Sequence, residues 1–304
     1  MSQRVAGLGH LAWFDRALFA PGSAHRVACV RIALVLIIGL RLITHQWWSM
    51  SGRPAELFRP VPVVAWLDTV PSAWILVLIE VVGLSAVVLC VLGRWTRPSF
   101  GTAWACLLLL GAFHSSAGKI MHNEVLLLLA SVPVLFAPGW ARVWDRREGI
   151  AGGWPPRLAI IVMAAVYFMA GLRKVMVSGP DWVFSDNLSW VLYAGAQSDN
   201  SLAPALAVAI AGTWLPPVVA GATLLLELGA PLLLWGRRTR YLFAVGIVGM
   251  HAGIGLLLGL DYSAWALTVI ALVFPWDRLR QVTSEERATT RLLPVRWAGS
   301  SSSV

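Results

Sequence analysis

Long apolar runs separated by short polar joints constrain this chain more than any other feature. Eight runs lie near residues 24–44, 72–92, 98–116, 122–138, 157–177, 216–236, 240–260 and 262–276. A helix needs roughly 20 apolar residues to cross about 30 Å of hydrocarbon. Only 13% of the residues are charged, against about 25% in soluble domains. The sequence therefore excludes a water-soluble fold and predicts an all-α integral membrane protein, a polytopic bundle of about eight transmembrane helices.

The basic residues lie mostly between the apolar runs, and their distribution predicts the orientation of the bundle. With the N terminus inside and the runs alternating, 17 of the 24 Lys and Arg residues fall inside, and only Arg53, Arg59 and Lys119 fall outside. Cytoplasmic loops carry such an excess of basic residues. Both termini are thus expected in the cytoplasm. The net charge of +9 indicates orientation and not nucleic-acid binding.

Length and composition also predict what the remaining segments form. Residues 1–280 are expected to form the membrane domain and residues 281–304 a disordered cytoplasmic tail. Residues 1–26 lack the pattern of a removable signal peptide. Residues 202–213 are apolar but short, which favours an interfacial or re-entrant segment over a full crossing. The arginine-rich, lysine-poor composition favours a bacterial source and therefore the bacterial cytoplasmic membrane.

Ionisable residues inside apolar runs cost several kcal/mol and mark candidate functional sites. The predicted orientation brings several of them to similar depths near the outer leaflet: His45, His114, His122, Glu124 and Lys174, with Glu227 and His251 somewhat deeper. This arrangement predicts a polar chamber that opens outward. Arg31 and Arg41 are expected to snorkel or to pair with acidic residues. Glu80 fits a structural partner of an arginine as well as a functional group.

Four segments follow one another in a recognisable order. They are His122-Asn123-Glu124, then Tyr167-Phe168-Met169-Ala170-Gly171-Leu172-Arg173-Lys174 followed by Trp182, then Leu224-Leu225-Leu226-Glu227-Leu228, and finally Met250-His251 with Tyr262-Ser263. Together they resemble the vitamin K-dependent gamma-carboxylases and their bacterial relatives, the HTTM-domain proteins. The resemblance extends over roughly residues 20–280. In that family an aspartate stands where this chain has Glu227.

The resemblance implies a role for each matched position. Lys174 would be the base that deprotonates vitamin K hydroquinone or a menaquinol, and His122 would assist it. The expected supporting polar chamber contains His251, Glu227, Arg173, Glu124, His114 and Asn123, and the expected quinone contacts are Tyr167, Phe168 and Trp182. Dioxygen and carbon dioxide would be co-substrates, and no metal ligands are expected.

The first expectation is therefore a membrane enzyme that epoxidises a hydroquinone and couples this to modification of a peptide at the outer face. One alternative is a non-enzymatic membrane partner for the maturation, export or immunity of a secreted peptide. Another is a proton-coupled carrier that uses Glu80, Glu227 and His251. The expected partners are the bilayer, a lipid-soluble quinone, a secreted peptide and a soluble protein that supplies the extra-membrane region of animal carboxylases.

Overall fold

The computed structural model describes residues 15–117 and 122–279, and these residues are mostly helical. The α-helices are α1 (Ala24–Thr44), α2 (Ala73–Val91), α3 (Thr96–Ser116), α4 (Val125–Leu135), α5 (Ile150–Ser178), α6 (Asp181–Phe184), α7 (Asn187–Ala196), α8 (Pro204–Ala211), α9 (Leu215–Leu228), α10 (Arg237–Leu258) and α11 (Ser263–Val273). Short 3₁₀ helices span Trp47–Gly52, Ala55–Leu57, Pro62–Val64 and Ala230–Leu234. Strands β1 (Gly22–Ser23) and β2 (Glu148–Gly149) pair antiparallel. The predicted all-α fold is confirmed.

Four helices in the described part of the chain are long and apolar enough to cross a membrane: α1, α2, α5 and α10. Helices α8 and α9 together satisfy the same test but are bent by 100°, as in a broken span or a re-entrant loop. Counting this pair gives five candidate spans. The chain therefore has the helices of a membrane protein, and the eight crossings expected from the sequence stay a prediction.

The other predicted runs form shorter or more polar helices. Helices α4 and α11 contain 11 residues each, which gives about 16 Å of length, so a crossing at either place would also need the residues that flank the helix. The run at 216–236 is interrupted because Gly229 and Pro231 end α9, and a 3₁₀ helix follows. Residues 202–213, which were expected to be interfacial or re-entrant, contain α8.

Helix α1 lies at the centre of the bundle. In its most apolar 18 residues, 67% are buried, against 28% or less in the three other long candidate spans, α2, α5 and α10. It packs against α2, α3, α4, α5 and α11. Arg31 on α1 donates to the backbone carbonyl oxygens of Pro138 and Ala141. This arginine therefore pairs with main-chain acceptors instead of snorkelling, and it fixes the segment that follows α4.

Helices α5 and α9 approach each other closely at Gly171. A Cβ atom placed there would lie 2.9 Å from the Cβ of Glu227 and 3.1 Å from the backbone nitrogen of Leu228. Only a residue without a side chain fits this crossing. The close approach also places the side chain at position 174, one turn further along α5, beside Glu227.

Residues up to Phe274 belong to one compact unit, and a second unit begins at Pro275. Within the second unit, the backbone nitrogen of Arg278 donates to the carbonyl oxygen of Pro275. The predicted tail, residues 281–304, lies outside the described residues.

Replacing Gly171 tests the α5–α9 contact. We expect Gly171→Val to lower the free energy of unfolding by about 1–3 kcal/mol, because the new side chain meets backbone atoms. Gly111→Val is the control, since nothing lies within 4 Å of a Cβ at that position. Thermal unfolding in detergent should show a lower midpoint for the first variant only, and equal midpoints would contradict the packing described here.

Candidate functional site

An ion pair between Lys174 and Glu227 joins α5 to α9. The Nζ atom of Lys174 lies 2.5 Å from Oε1 of Glu227. The Lys174 side chain is 23% exposed, whereas that of Glu227 is 8% exposed. The amine of the pair is therefore accessible from the neighbouring space, whereas the carboxylate is largely buried. Removing one partner of a buried pair typically costs about 3–5 kcal/mol.

That space is an apolar cavity of about 450 Å³. Ligand pockets typically enclose roughly 300–1,000 Å³. Of the described residues that line it, Lys174 is the only charged one. Helices α7, α8, α9 and α10 supply the apolar walls, through residues such as Leu192, Ile210, Leu226 and Met250. The segment after α5 that the sequence placed outside the membrane thus forms part of the cavity wall.

One wall of the cavity consists largely of glycine. Gly246, Gly249 and Gly253 follow one another at spacings of three and four on α10, so they share one face of that helix. Nothing lies within 4 Å of a Cβ built at Gly249 or Gly253. The cavity is therefore wide on this side because these glycine positions have no side chains.

The polar end of the cavity contains buried atoms that find no partner in the described residues. Lys174 Nζ lies 4.7 Å from the centre of the Trp182 ring, in a cation–π contact. The indole nitrogen of Trp182 is buried without a hydrogen-bond acceptor, and Oε2 of Glu227 is buried without a donor. Buried polar atoms are normally hydrogen-bonded. An apolar ligand with one polar oxygen beside Trp182 and Lys174 would satisfy the indole.

An aromatic cluster lies behind this end. The hydroxyl of Tyr167 lies 2.8 Å from Nε2 of His251, and both side chains are buried. His251 stacks on Tyr262 with ring centres 5.5 Å apart, and Trp265 packs edge-on against Tyr167. Neither Tyr167 nor His251 belongs to the described residues that line the cavity. These residues therefore support the helices around the site and do not form its wall.

A second ionic group surrounds Arg41 on α1. The guanidinium donates to Oε1 of Glu124 at 2.7 Å, to Asp261 and to Nε2 of His45 at 2.8 Å. Arg41 is 1% exposed, so its charge has to be neutralised inside the protein. The expected pairing of Arg41 with acidic residues is confirmed.

His45 and His114 lie at the edge of this Arg41 group. Their rings meet edge-on with centres 6.3 Å apart, and His45 stacks on Trp47 at 4.7 Å. Burial, together with the nearby charge of Arg41, lowers the pKa of His45 below its usual value. His45 is therefore neutral near pH 7, so it accepts a hydrogen bond from Arg41 and forms no ion pair with Glu124.

The loop after α10 connects the two groups. Asp261 contacts Arg41, and the adjacent Tyr262 stacks on His251. The indole nitrogen of Trp265 donates to the backbone oxygen of His122 at 2.9 Å. The residues expected in one polar chamber thus lie in two groups, one around Lys174 and one around Arg41, joined by residues 261–265.

Four predicted site residues take no part in either group through their side chains. His122 is exposed, and only its backbone carbonyl has a recorded contact. Arg173 is exposed on α5, and Asn123 and Phe168 are partly buried, none of them with a recorded polar contact among the described residues. No group of three or more His, Cys, Asp or Glu side chains that could hold a metal is found within the described ranges.

Sequence reasoning missed Asp261. It lies outside the apolar runs, where an acidic residue carries no desolvation cost and so gives no signal. Its position two residues before Ser263 was the available signal, since Asp side chains often accept from the backbone two residues on. In the structure, the backbone nitrogen of Ser263 donates to Oδ1 of Asp261 at 2.9 Å.

The contacts of Asp261 predict a pH dependence of stability. Burial raises its pKa, but the hydrogen bonds from Ser263 and Arg41 outweigh this and lower the pKa from 3.8 to about 2. A folded-state pKa below the unfolded value gives stability that is complete above about pH 4 and is lost as the pH falls through 2. Thermal unfolding between pH 5 and pH 2 should show this loss.

Asp261→Asn is the matched variant for this pH series. We expect it to be less stable than the wild type at pH 5 and to lose less stability on acidification, because it has no carboxylate to protonate. Parallel curves for the two proteins would show that Asp261 does not carry the pH dependence.

Comparisons with known proteins identify no relative of this chain. No protein-family model, no curated protein and no solved structure matches the chain. The resemblance of the four sequence segments to the gamma-carboxylases therefore stays a prediction. What the chain can do has to be inferred from the contacts around Lys174.

Proposed function

We propose that this chain is a membrane enzyme, similar to the vitamin K-dependent gamma-carboxylases, that deprotonates and epoxidises a lipid-soluble naphthohydroquinone. The observation that carries the proposal is the ammonium group of Lys174 in the wall of a largely apolar cavity. A hydroquinone has the matching chemistry, since its ring and tail are apolar and its hydroxyl groups are weak acids. Vitamin K hydroquinone and a menaquinol both fit this description.

The polar end of the cavity supports this assignment. The unpartnered indole nitrogen of Trp182 can donate to one oxygen of the ring. Lys174 lies against the same indole ring, so both groups reach one ligand oxygen. The apolar walls formed by Leu226 and Met250 suit the ring and its isoprenoid tail.

A proton can pass from Lys174 to Glu227 while the net charge of the pair stays zero. When Nζ of Lys174 passes a proton to Oε1 of Glu227, 2.5 Å away, the amine becomes the neutral form that a base requires. It then accepts a proton from the ligand hydroxyl. The bound hydroquinone supplies the electrons for dioxygen, of which one oxygen atom enters the epoxide and the other leaves as water. Coupled peptide carboxylation would consume carbon dioxide at the outer face.

A non-enzymatic role is the competing proposal, and the same ion pair is the observation that favours it. Lys174 and Glu227 join α5 to α9, so they could serve only to hold these helices together. In that case the chain would act as a membrane partner of a secreted peptide. The two proposals differ in what loss of the amine does to a protein that still folds.

The first test is epoxide formation by the purified chain in nanodiscs, supplied with reduced vitamin K or menaquinol and dioxygen. We expect Lys174→Met to lower the rate by about 10²–10⁴, the usual contribution of a general base. Glu227→Gln keeps an acceptor beside Nζ but removes the carboxylate, so it should lower the rate as well. Thermal unfolding of each variant shows whether it has folded.

Blocking the cavity tests the same proposal without changing a charge. Gly249→Leu places a side chain in open space within the cavity and should abolish epoxide formation while the protein stays folded. Gly111→Leu on α3 is the control and should keep the wild-type rate. A wild-type protein that binds the hydroquinone but forms no epoxide would favour the non-enzymatic role.

We further propose that the bundle crosses a bacterial cytoplasmic membrane eight times, with both termini cytoplasmic. The segment between α5 and α9 would then face outward and the start of α10 inward. In a chain without native cysteines, a membrane-impermeant maleimide should label Asp199→Cys in intact cells. It should label Arg238→Cys only after permeabilisation, and the reverse result would invert the topology.

A further inference from the structure

The inner-side arginines form a second pocket, independent of the Lys174 site. Arg26 on α1, Arg157 on α5 and Arg240 on α10 line a space of about 260 Å³. Arg157 and Lys174 lie 17 residues apart on α5, which corresponds to about 25 Å along the helix. The pocket therefore lies near the opposite end of α5 from the proposed quinone cavity.

Backbone carbonyl groups hold the arginines in place. Arg157 donates to the oxygens of Leu18, Ala20 and Pro21, and Nε of Arg240 donates to the oxygen of Leu233 at 3.0 Å. These hydrogen bonds orient the guanidinium groups of Arg157 and Arg240, but a neutral carbonyl group does not neutralise the charge of either. Within the described ranges, neither Arg157 nor Arg240 forms an ion pair with a carboxylate.

Neighbouring positive charges repel the guanidinium group of Arg240. Arg26 and Arg157 are both close enough to act on it, and all three side chains are partly buried. Like charges held together in a region of low dielectric raise the free energy of the folded state. A bound anion would remove this cost, because it makes charge-assisted hydrogen bonds to several guanidinium groups at once.

The rest of the pocket is apolar and reaches the outer surface of the bundle. Leu18, Ile160, Ile161 and Leu234 supply the remaining wall. Leu234 is 45% exposed and the adjacent Trp235 is 84% exposed, as expected of side chains at a lipid interface. A small inorganic ion would leave this apolar surface uncovered, whereas the glycerol and acyl chains of a lipid would cover it.

We propose that Arg26, Arg157 and Arg240 bind the phosphate group of an anionic membrane phospholipid. Basic pockets between transmembrane helices on the cytoplasmic side bind such headgroups, and the basic distribution of this chain places the pocket on that side. The pocket admits a phosphodiester headgroup, and the apolar wall receives the start of the acyl chains.

Binding of short-chain phosphatidylglycerol to the detergent-purified full chain tests the proposal by calorimetric titration. Phosphatidylcholine with the same acyl chains is the reference, since its headgroup has no net charge. We expect the anionic lipid to bind at least about tenfold more tightly, and its affinity to fall as salt screens the arginines. Equal affinities for the two lipids would overturn the proposal.

Arg240→Gln, and independently Arg26→Gln, should each weaken binding of phosphatidylglycerol by about tenfold, because a charge-assisted hydrogen bond is lost. Arg238→Gln removes the same charge from an exposed position outside the pocket and should change affinity less than about twofold. Thermal unfolding confirms that each variant is folded. Equal losses in the Arg238 and Arg240 variants would mean general charge attraction and would also overturn the site.

Sodium phosphate distinguishes a lipid from a free anion. If the lipid is the ligand, phosphate should displace it only at concentrations far above those of the lipid. Displacement at comparable concentrations would show that the pocket takes the free ion, and the lipid assignment would be wrong. Each measurement concerns binding only, so its outcome is separable from that of the epoxide assay.

Discussion

The charge of Arg41 has to be neutralised inside the bundle, and the residues that neutralise it come from distant parts of the chain. Glu124 immediately precedes α4, and Asp261 lies in the loop between α10 and α11. A buried guanidinium without a partner would cost several kcal/mol. The ion pairs therefore fix the central helix to both of these segments. The loop that these ion pairs hold contains Tyr262, which stacks on His251. The arrangement of side chains around Lys174 therefore depends on the charge of Arg41, which lies in the other group.

Much of the polarity described within this bundle is concentrated in a few contacts. They are the Lys174–Glu227 pair, the Tyr167–His251 contact and the Arg41 group. In a low-dielectric interior each such group is electrostatically strong but costly to leave incomplete. The described lining of the cavity contains one charged side chain, Lys174, and few other polar ones. Apolar contact has to provide the remainder of a ligand's affinity.

The sequence predicts most of the helices because their boundaries follow composition. The run at 24–44 is α1, and the run at 72–92 differs from α2 by one residue at each end. The start of α5 was placed too late, at 157 instead of Ile150. Gly152 and Gly153 at its start pack directly on the backbone at Gly22 and Ala20. The additional turns at the start of α5 therefore coincide with a tertiary contact, which the local sequence does not predict.

The sequence predicts several residues of the two polar groups, but it does not predict how these residues are grouped. The alternation of spans gives the depth of a residue, so His114, Glu124 and Lys174 could be placed in one leaflet. Depth says nothing about the rotation of a helix, and rotation decides that Lys174 faces Glu227 while Glu124 faces Arg41. The spacing of Gly246, Gly249 and Gly253 places them on one face of α10, but only tertiary packing decides which helices lie opposite that face.

Because of that glycine face, the size of the cavity can change independently of the charged residues at its end. Gly249 and Gly253 border open space, since no heavy atom of Lys174 or Glu227 lies within 4 Å of a Cβ built at either position. A single substitution on this wall can shorten or narrow the cavity while Lys174 and Glu227 keep their positions. The size of the molecule that the cavity admits can therefore change through exchanges on one helix face, without any change to the charged pair.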